Sequence, residues 1–410
     1  MHWLIRSHQN TSHLTRAYLS SRHYNRVSEV LQPPPCMCGP ADIMEADAEP
    51  IRVLQDVTKL CAALEGNTTL RELSASGHAM APESAALVAT MLSRNSGLIS
   101  LGVGDANFGD AGLAALVPGL TATATLQRLD LEAKGMTAAG AGALGAALAA
   151  SNGSLTHLNF SRNGIGGDGA AALAPGLLSL RSLDLSGCGI ASDAGAAALS
   201  QLLQSGQLTS LSLRGNGLGP EGGSRLAAGV AASPMLQELL LADTALGDAG
   251  AAAIADALPE SSALSRLDVS GCGVAGPGLE AICRAVSRGV RLQALAAGGN
   301  GLDSGSLAAA VRLLQPDGSL TELDLAENSG CTNEAALAAL AGLKPLRKLS
   351  LFACGLGAAG GSDVAAQLRA GGWPALRHLD LGGNGIDTKP ARELLDAIAD
   401  GGGPAFQVPK

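Results

Sequence analysis

Five aspartates recur at one place in a repeated phrase: Asp130, Asp184, Asp268, Asp324 and Asp380 each stand between two aliphatic residues, as in Leu183-Asp184-Leu185. In a strand of period two, the aliphatic pair faces one side and the residue between them faces the other. These carboxylates therefore form a row on one surface. The equivalent places elsewhere hold Asn159, Ser212, Leu240, Ala296 and Ser350. Alternate positions beside the row add Glu72, Glu132, Glu238 and Glu322, against Arg128, Arg214, Arg266 and Lys348. Nine acids thus face four bases, and a surface of that sign steers a basic ligand. A solvated repeat position would carry the same row without any ligand, so both readings stand. Phe352, beside Lys348 and near His378, is the one aromatic placed on this surface and the candidate anchor, because buried aromatics dominate binding hot spots.

Other chemistries find no support. There is no His-Glu-x-x-His pattern, and His157 and His378 lie far apart in the chain, so neither a zinc hydrolase nor a Ser-His-Asp grouping is expected. Gly355-Leu356-Gly357-Ala358-Ala359-Gly360 has the spacing of a dinucleotide fingerprint, but Leu356 fills the same slot as Leu218 and Leu246. Repeat phase explains those glycines without a βαβ unit or its ribose-binding acid. Cys36-Met37-Cys38 lacks the second ligand pair of a zinc site. The sequence therefore predicts no catalytic residue, cofactor or metal. A net charge of -9 disfavours nucleic acid. Gly135 to Ser161 contains no charged residue, yet Asn152-Gly153-Ser154 interrupts it before the roughly 20 apolar residues of a membrane span. The expected partner is a protein, basic or a small GTPase, and the expected state is a monomer.

Leucines set the elements that carry the row. Leu180, Leu208, Leu236, Leu264, Leu292 and Leu320 stand 28 residues apart, and the phase extends to Leu70, Leu98, Leu126, Leu155, Leu346 and Leu376. Twelve units at spacings between 25 and 30 residues mean a repeat solenoid. Each unit opens with a strand-like phrase, and three residues after its last alternating residue most units hold Asn163, Asn216, Asn300, Asn328 or Asn384, Cys188, Cys272 or Cys354, or Thr244. The second half switches to helical spacing, as in Gly140/Leu144/Leu148, Gly169/Leu173/Leu177, Gly195/Leu199/Leu203 and Gly250/Ile254/Leu258. Asp110, Asp168, Asp193 and Asp248 precede these runs and are expected to cap their own helices. Neither half can bury its apolar face alone, so the strands stack into one parallel sheet with helices behind it.

Leu208-x-x-Leu211-x-Leu213-x-x-Asn216-x-Leu218, followed by Gly222, Leu226 and Val230, resembles the ribonuclease-inhibitor class of leucine-rich repeats. That class includes ribonuclease inhibitor, the repeat regions of NOD-like receptors and Ran GTPase-activating protein. The resemblance implies an α/β horseshoe solenoid of about twelve strand-helix repeats, with a parallel sheet on the concave face and helices on the convex face. It also implies a non-enzymatic module that binds a protein through the concave face and the strand-exit loops. The candidate binding residues are Asp130, Glu132, Asp184, Arg214, Glu238, Asp268, Glu322, Asp324, Lys348, Phe352, His378 and Asp380. The alternative is a GTPase-activating regulator of a Ran-type small GTPase. The first three repeats carry His78, Ala106 and Lys134 in the asparagine slot, which predicts a degenerate or cap-like start to the stack. Trp373 is expected to plug its C-terminal end.

Four segments follow. Residues 1–50 read as a leader, disordered or targeting, since Arg6, Arg16, Arg22 and Arg26 precede the first acid, Glu29; Met44 is an alternative start. Residues 51–69, with Leu54, Val57, Leu60 and Leu64 at helical spacing, read as a capping helix. Residues 70–400 hold the repeats, and 401–410, opening on Gly401-Gly402-Gly403, read as a disordered tail. The cysteines have no secretory signal before them and are expected to be reduced. The expected location is cytoplasmic, or chloroplast or mitochondrion if residues 1–28 are a transit peptide.

Overall fold

The computed structural model describes residues 16–18, 50–151, 153–191, 193–205, 207–260, 262–314 and 318–400. The Cys36-Met37-Cys38 pair, most of the leader and the tail from residue 401 lie outside the described residues. The chain divides into two compact units, Met1–Ile165 with Pro175–Leu180, and Gly166–Ala174 with Arg181–Lys410.

The first unit runs β1 (Arg16–Tyr18), α1 (Pro50–Glu65), β2 (Glu72–Ser76), α2 (Pro82–Arg94), β3 (Ser100–Gly104), α3 (Gly109–Ala122), β4 (Arg128–Asp130), α4 (Ala138–Ala150) and β5 (His157–Asn159). Its strands pair in parallel and in chain order, with Leu73, Leu101, Leu129 and Leu158 in one register row. β1, inside the segment read as a leader, pairs in parallel with β2, which the sequence reading does not anticipate. Helix α1 packs on α2.

The second unit begins with α5 (Gly166–Leu173), β6 (Ser182–Asp184), α6 (Asp193–Gln204), β7 (Ser210–Ser212), α7 (Gly219–Ala231), β8 (Glu238–Leu240), α8 (Gly247–Ala257) and β9 (Arg266–Asp268). It continues through α9 (Gly276–Ser287), β10 (Ala294–Ala296), α10 (Ser304–Leu314), β11 (Glu322–Asp324), α11 (Glu334–Ala341), β12 (Lys348–Ser350), α12 (Gly357–Arg369), β13 (His378–Asp380) and α13 (Thr388–Asp400). β6 to β13 again pair in parallel and in chain order. Every leucine phrase has thus become a strand followed by a helix, and the architecture is an α/β repeat solenoid.

Burial explains why the repeat folds this way. Leu211, Leu239, Leu267, Leu295, Leu323 and Leu349 are buried in one row, and the helix stripes Leu199/Leu203 and Ile254/Leu258 are buried with them. Each leucine so covered contributes about 1.5–3 kcal/mol. Consecutive helices within a unit pack side by side, and small residues let them approach. A Cβ on Gly223 of α7 would stand 2.9 Å from the Cα of Gly250 in α8, so only glycine fits that crossing. The predicted Gly169/Leu173/Leu177 stripe is broken: α5 ends at Leu173 and a 3-10 turn, Ala174–Gly176, carries the chain to Leu177. Pro175 lacks the N–H that a continued helix would need.

The asparagine slot joins each repeat to the one before it. Asn216 Nδ2 donates to the carbonyls of Leu185 and Leu213 at 2.9 and 2.8 Å, and its Oδ1 accepts from the amides of Cys188 and Ile190 at 3.1 and 2.9 Å. That uses the full capacity of the amide. Asn163, Asn300 and Asn328 repeat the pattern. In this slot the Cys272 Sγ donates to the Leu241 carbonyl at 2.8 Å and lies 3.4 Å from the Thr244 hydroxyl, with no oxygen to accept from the turn amides.

Two expectations are corrected here. Asp110 and Asp248 do not cap their own helices. Asp248 Oδ1 accepts from the amides of Ala275 and Gly278 at 2.8 and 2.9 Å, at the start of the following helix, α9, and Asp110 Oδ1 accepts from the amide of Thr137, the N-cap of α4. The acids therefore stitch neighbouring repeats. Nor is the slot at Lys134 degenerate: this lysine is buried, and its Nζ donates to the Gly104 carbonyl one repeat back at 2.8 Å. Burial lowers its pKa, opposed by the nearby carboxylates of Asp130, Asp105 and Glu132. Trp373 is buried in the turn between α12 and β13, with Nε1 donating to the Leu340 carbonyl of α11 at 2.8 Å. Among the described residues no helix is long and apolar enough to cross a membrane.

Candidate functional site

The turn leaving each strand decides what the row of acids does. Asp184 Oδ1 accepts from the amide of Ser186 at 2.8 Å, Asp268 Oδ1 from Ser270 at 3.0 Å, Asp324 Oδ1 from Ala326 at 2.9 Å and Asp380 Oδ1 from Gly382 at 2.9 Å. In the first unit Asp130 serves Glu132 in the same way, and Asn159 serves Ser161. A short side chain bonded to the amide two residues on is a local device for closing a turn. The aspartates recur because the strand exit needs an acceptor there, a role that spacing alone did not reveal. One carboxylate oxygen holds the turn, and in Asp130 and Asp184 that same oxygen also accepts from Asn159 Nδ2 and Ser186 Oγ.

Pairing removes most of the remaining surplus charge. Arg214 reaches across two strands to Asp268, Nη2 to Oδ2 at 2.7 Å, and Asp268 is the buried partner. Arg266 pairs with Glu238 at 3.4 Å and Lys348 with Glu322 at 2.9 Å. The first unit shows the same habit: Glu132 pairs with Arg162 at 3.3 Å, and Asp130 accepts from Asn159 Nδ2 at 3.0 Å. The acid-rich face read from the sequence is therefore close to balanced around β9 to β12. Asp324 is the exception. Among the described residues its Oδ2 has no hydrogen-bond or ionic partner, and neither has the hydroxyl of Ser350, which lies opposite it in register on β12.

Between these groups the open face of the second unit dips into a hollow of about 270 Å³. Its floor is β10, which offers only Ala294 and Ala296, over the buried Leu267, Leu295 and Leu323. Its walls are Arg266 and Asp268 on β9, and Glu322 and Asp324 on β11, two strand spacings or roughly 10 Å apart. Arg214, Leu240, Lys348, Leu349, Ser350 and His378 complete the lining.

Of the sequence-derived candidates, Arg214, Asp268, Glu322, Asp324, Lys348 and His378 meet at this hollow. Glu238 stands behind it as the partner of Arg266. Asp184 and Asp380 belong to the same unit but do not line the hollow, and Asp130 and Glu132 belong to the other unit. Phe352 is 42% exposed, yet it also lies outside the lining; a Cβ on Gly382 would meet its ring at 3.0 Å, so it sits beside the loop leaving β13. The sequence reading missed Ala294 as a site residue and gave no weight to Ala296, although an alanine in a row of larger polar side chains is the available sign of a gap. The Gly355–Gly360 fingerprint belongs to the repeat: Gly357 opens α12 with φ 58°, as Gly219 and Gly247 open α7 and α8 with 66° and 60°.

A model of the Leucine Rich repeat matches residues 151–174, 177–200, 208–227, 232–255, 261–283 and 374–392. No curated protein sequence matches the chain. Among solved structures it is similar to a chain from the crystal structure of the Rad7 and Elc1 complex in yeast, at 15% identity over 85% of this chain and 86% of that one, TM-score 0.42. It is also similar to an internalin from Listeria monocytogenes, at 16% identity over 83% of this chain and 92% of that one, TM-score 0.39. The matched segments coincide with strand, turn and helix units whose leucines are buried in register, so those segments are leucine-rich repeats and the fold is that of an α/β leucine-rich-repeat solenoid.

Proposed function

We propose that this protein is a non-enzymatic interaction module that binds a partner protein, of basic character at the contact, on the open face of its second unit around β9 to β13. The single observation that carries the reading is the hollow over Ala294 and Ala296, whose charged walls, Asp324 apart, are already held in ion pairs. Pre-paired walls lose little side-chain freedom on binding, which lowers the cost of association. The same commitment argues against catalysis, because Asp268, Glu238 and Glu322 are held in ion pairs. Units of 28 residues, each with a full α-helix rather than an extended back, support the ribonuclease-inhibitor subtype.

The test is affinity capture from native extract with the full chain and with an Ala296→Trp variant, which fills the hollow without touching the core, followed by mass spectrometry. A partner held by the wild type and lost by the variant supports the reading; a partner held equally by both removes this face from the interaction. The captured protein is then mixed with the chain and purified again, to separate direct binding from carry-over. Addition of the chain to Ran-type GTPases should leave GTP hydrolysis unchanged; stimulation would favour the regulator alternative instead.

A further inference from the structure

Resting on the reading of this face as partner-binding, we infer that the hollow receives one lysine or arginine side chain of the partner, its cationic head taken by Asp324 and Ser350. Size comes first. At about 270 Å³ the hollow is below the roughly 300 Å³ at which small-molecule sites begin, so it suits a side chain better than a metabolite. The floor of Ala294 and Ala296 over buried leucines is apolar, and an aliphatic stem can lie along it while its charged head reaches the wall.

Charge then selects the occupant. Arg214, Arg266 and Lys348 already hold Asp268, Glu238 and Glu322, so an incoming carboxylate would have to compete with a resident one at each of these three cations. What remains uncommitted on the walls is a pair of acceptors: Asp324 Oδ2 and the Ser350 hydroxyl, adjacent across β11 and β12. The turn bond from the Ala326 amide at 2.9 Å holds the other oxygen of Asp324, which fixes the carboxylate before any ligand arrives. An ammonium or guanidinium group, carrying only donors, matches two acceptors; a neutral or acidic side chain does not.

The experiment uses the full chain, carbon-13-labelled at alanine methyls, with the Ala294 and Ala296 resonances assigned from Ala294→Ser and Ala296→Ser variants. The probes are capped pentaglycine peptides whose central residue is arginine, lysine, leucine or glutamate. The arginine and lysine peptides should shift both resonances saturably, and Asp324→Asn should weaken that binding roughly tenfold, the loss of one charge-assisted bond. Equal shifts with the leucine peptide, stronger shifts with the glutamate peptide, undiminished binding to Asp324→Asn, or no shift with any peptide would each overturn the inference. Because no partner is used, such a result leaves the capture experiment to decide the broader reading separately.

Discussion

Replacing Asn216 with alanine should expose how far the stack depends on its asparagine slot. The side chain makes four buried hydrogen bonds, to the carbonyls of Leu185 and Leu213 and from the amides of Cys188 and Ile190, and only 1% of the residue is exposed. At about 1 kcal/mol for each bond, the loss comes to about 4 kcal/mol. Asn216→Cys should lose about half of that, because Cys272 in the equivalent slot keeps a donor to the preceding repeat's carbonyl. Urea unfolding followed by circular dichroism gives the stability change, but neighbouring repeats can unfold as separate blocks. Amide exchange at Cys188 and Ile190 is therefore read in parallel, with acceleration of roughly tenfold or more expected for the alanine variant. A destabilisation below about 1 kcal/mol, with both amides still protected, would refute the claim that this side chain joins the repeats.

Three further outcomes are expected. Lys134 has a pKa below its unfolded value because of burial, so the penalty on its charged form is complete at low pH. It is relieved as pH rises from the folded pKa toward the unfolded one, about 10.4, since only the unfolded chain then still holds the proton; wild type should gain stability over Lys134→Met across that alkaline window, and parallel pH profiles would exclude the effect. Gly223→Ala should destabilise by about 1–3 kcal/mol, read from the urea midpoint, because the added methyl meets Gly250 Cα at 2.9 Å; an unchanged midpoint would show that α7 and α8 separate freely. Asp324→Asn should leave stability within about 0.5 kcal/mol, since asparagine can still accept from the Ala326 amide as Asn159 does from Ser161, whereas Asp324→Ala should cost about 1 kcal/mol; equal effects would deny the turn its acceptor.

Leucine spacing made the fold legible because a solenoid contact recurs at the repeat length: Leu267 meets Leu239 and Leu295 at one register, and sequence phase reports that directly. The site was less legible. Arg214 neutralises Asp268 across 54 residues, a reach over an intervening strand that no single-repeat pattern encodes. The aspartate row looked like ligand-binding charge because its turn-closing bond lies two residues away within the same strand exit, and any acid count treats both roles alike. Asp110 and Asp248 were assigned to their own helices since sequence proximity favours that choice, while the stacked geometry brings the next helix's first amides closer. Lys134 looks like a lapse in the slot, although its long side chain reaches back to the preceding repeat, to the Gly104 carbonyl one residue past the place an asparagine would use.

The most direct test of the account is the dissociation constant of the captured partner, measured by calorimetry, for wild type, Ala296→Trp and a Glu280→Lys control on the exposed side of α9. Filling the hollow should weaken binding roughly tenfold or more, with the control within about twofold of wild type. Unchanged affinity for Ala296→Trp together with a loss for Glu280→Lys would place the contact on the helical side and contradict the central claim.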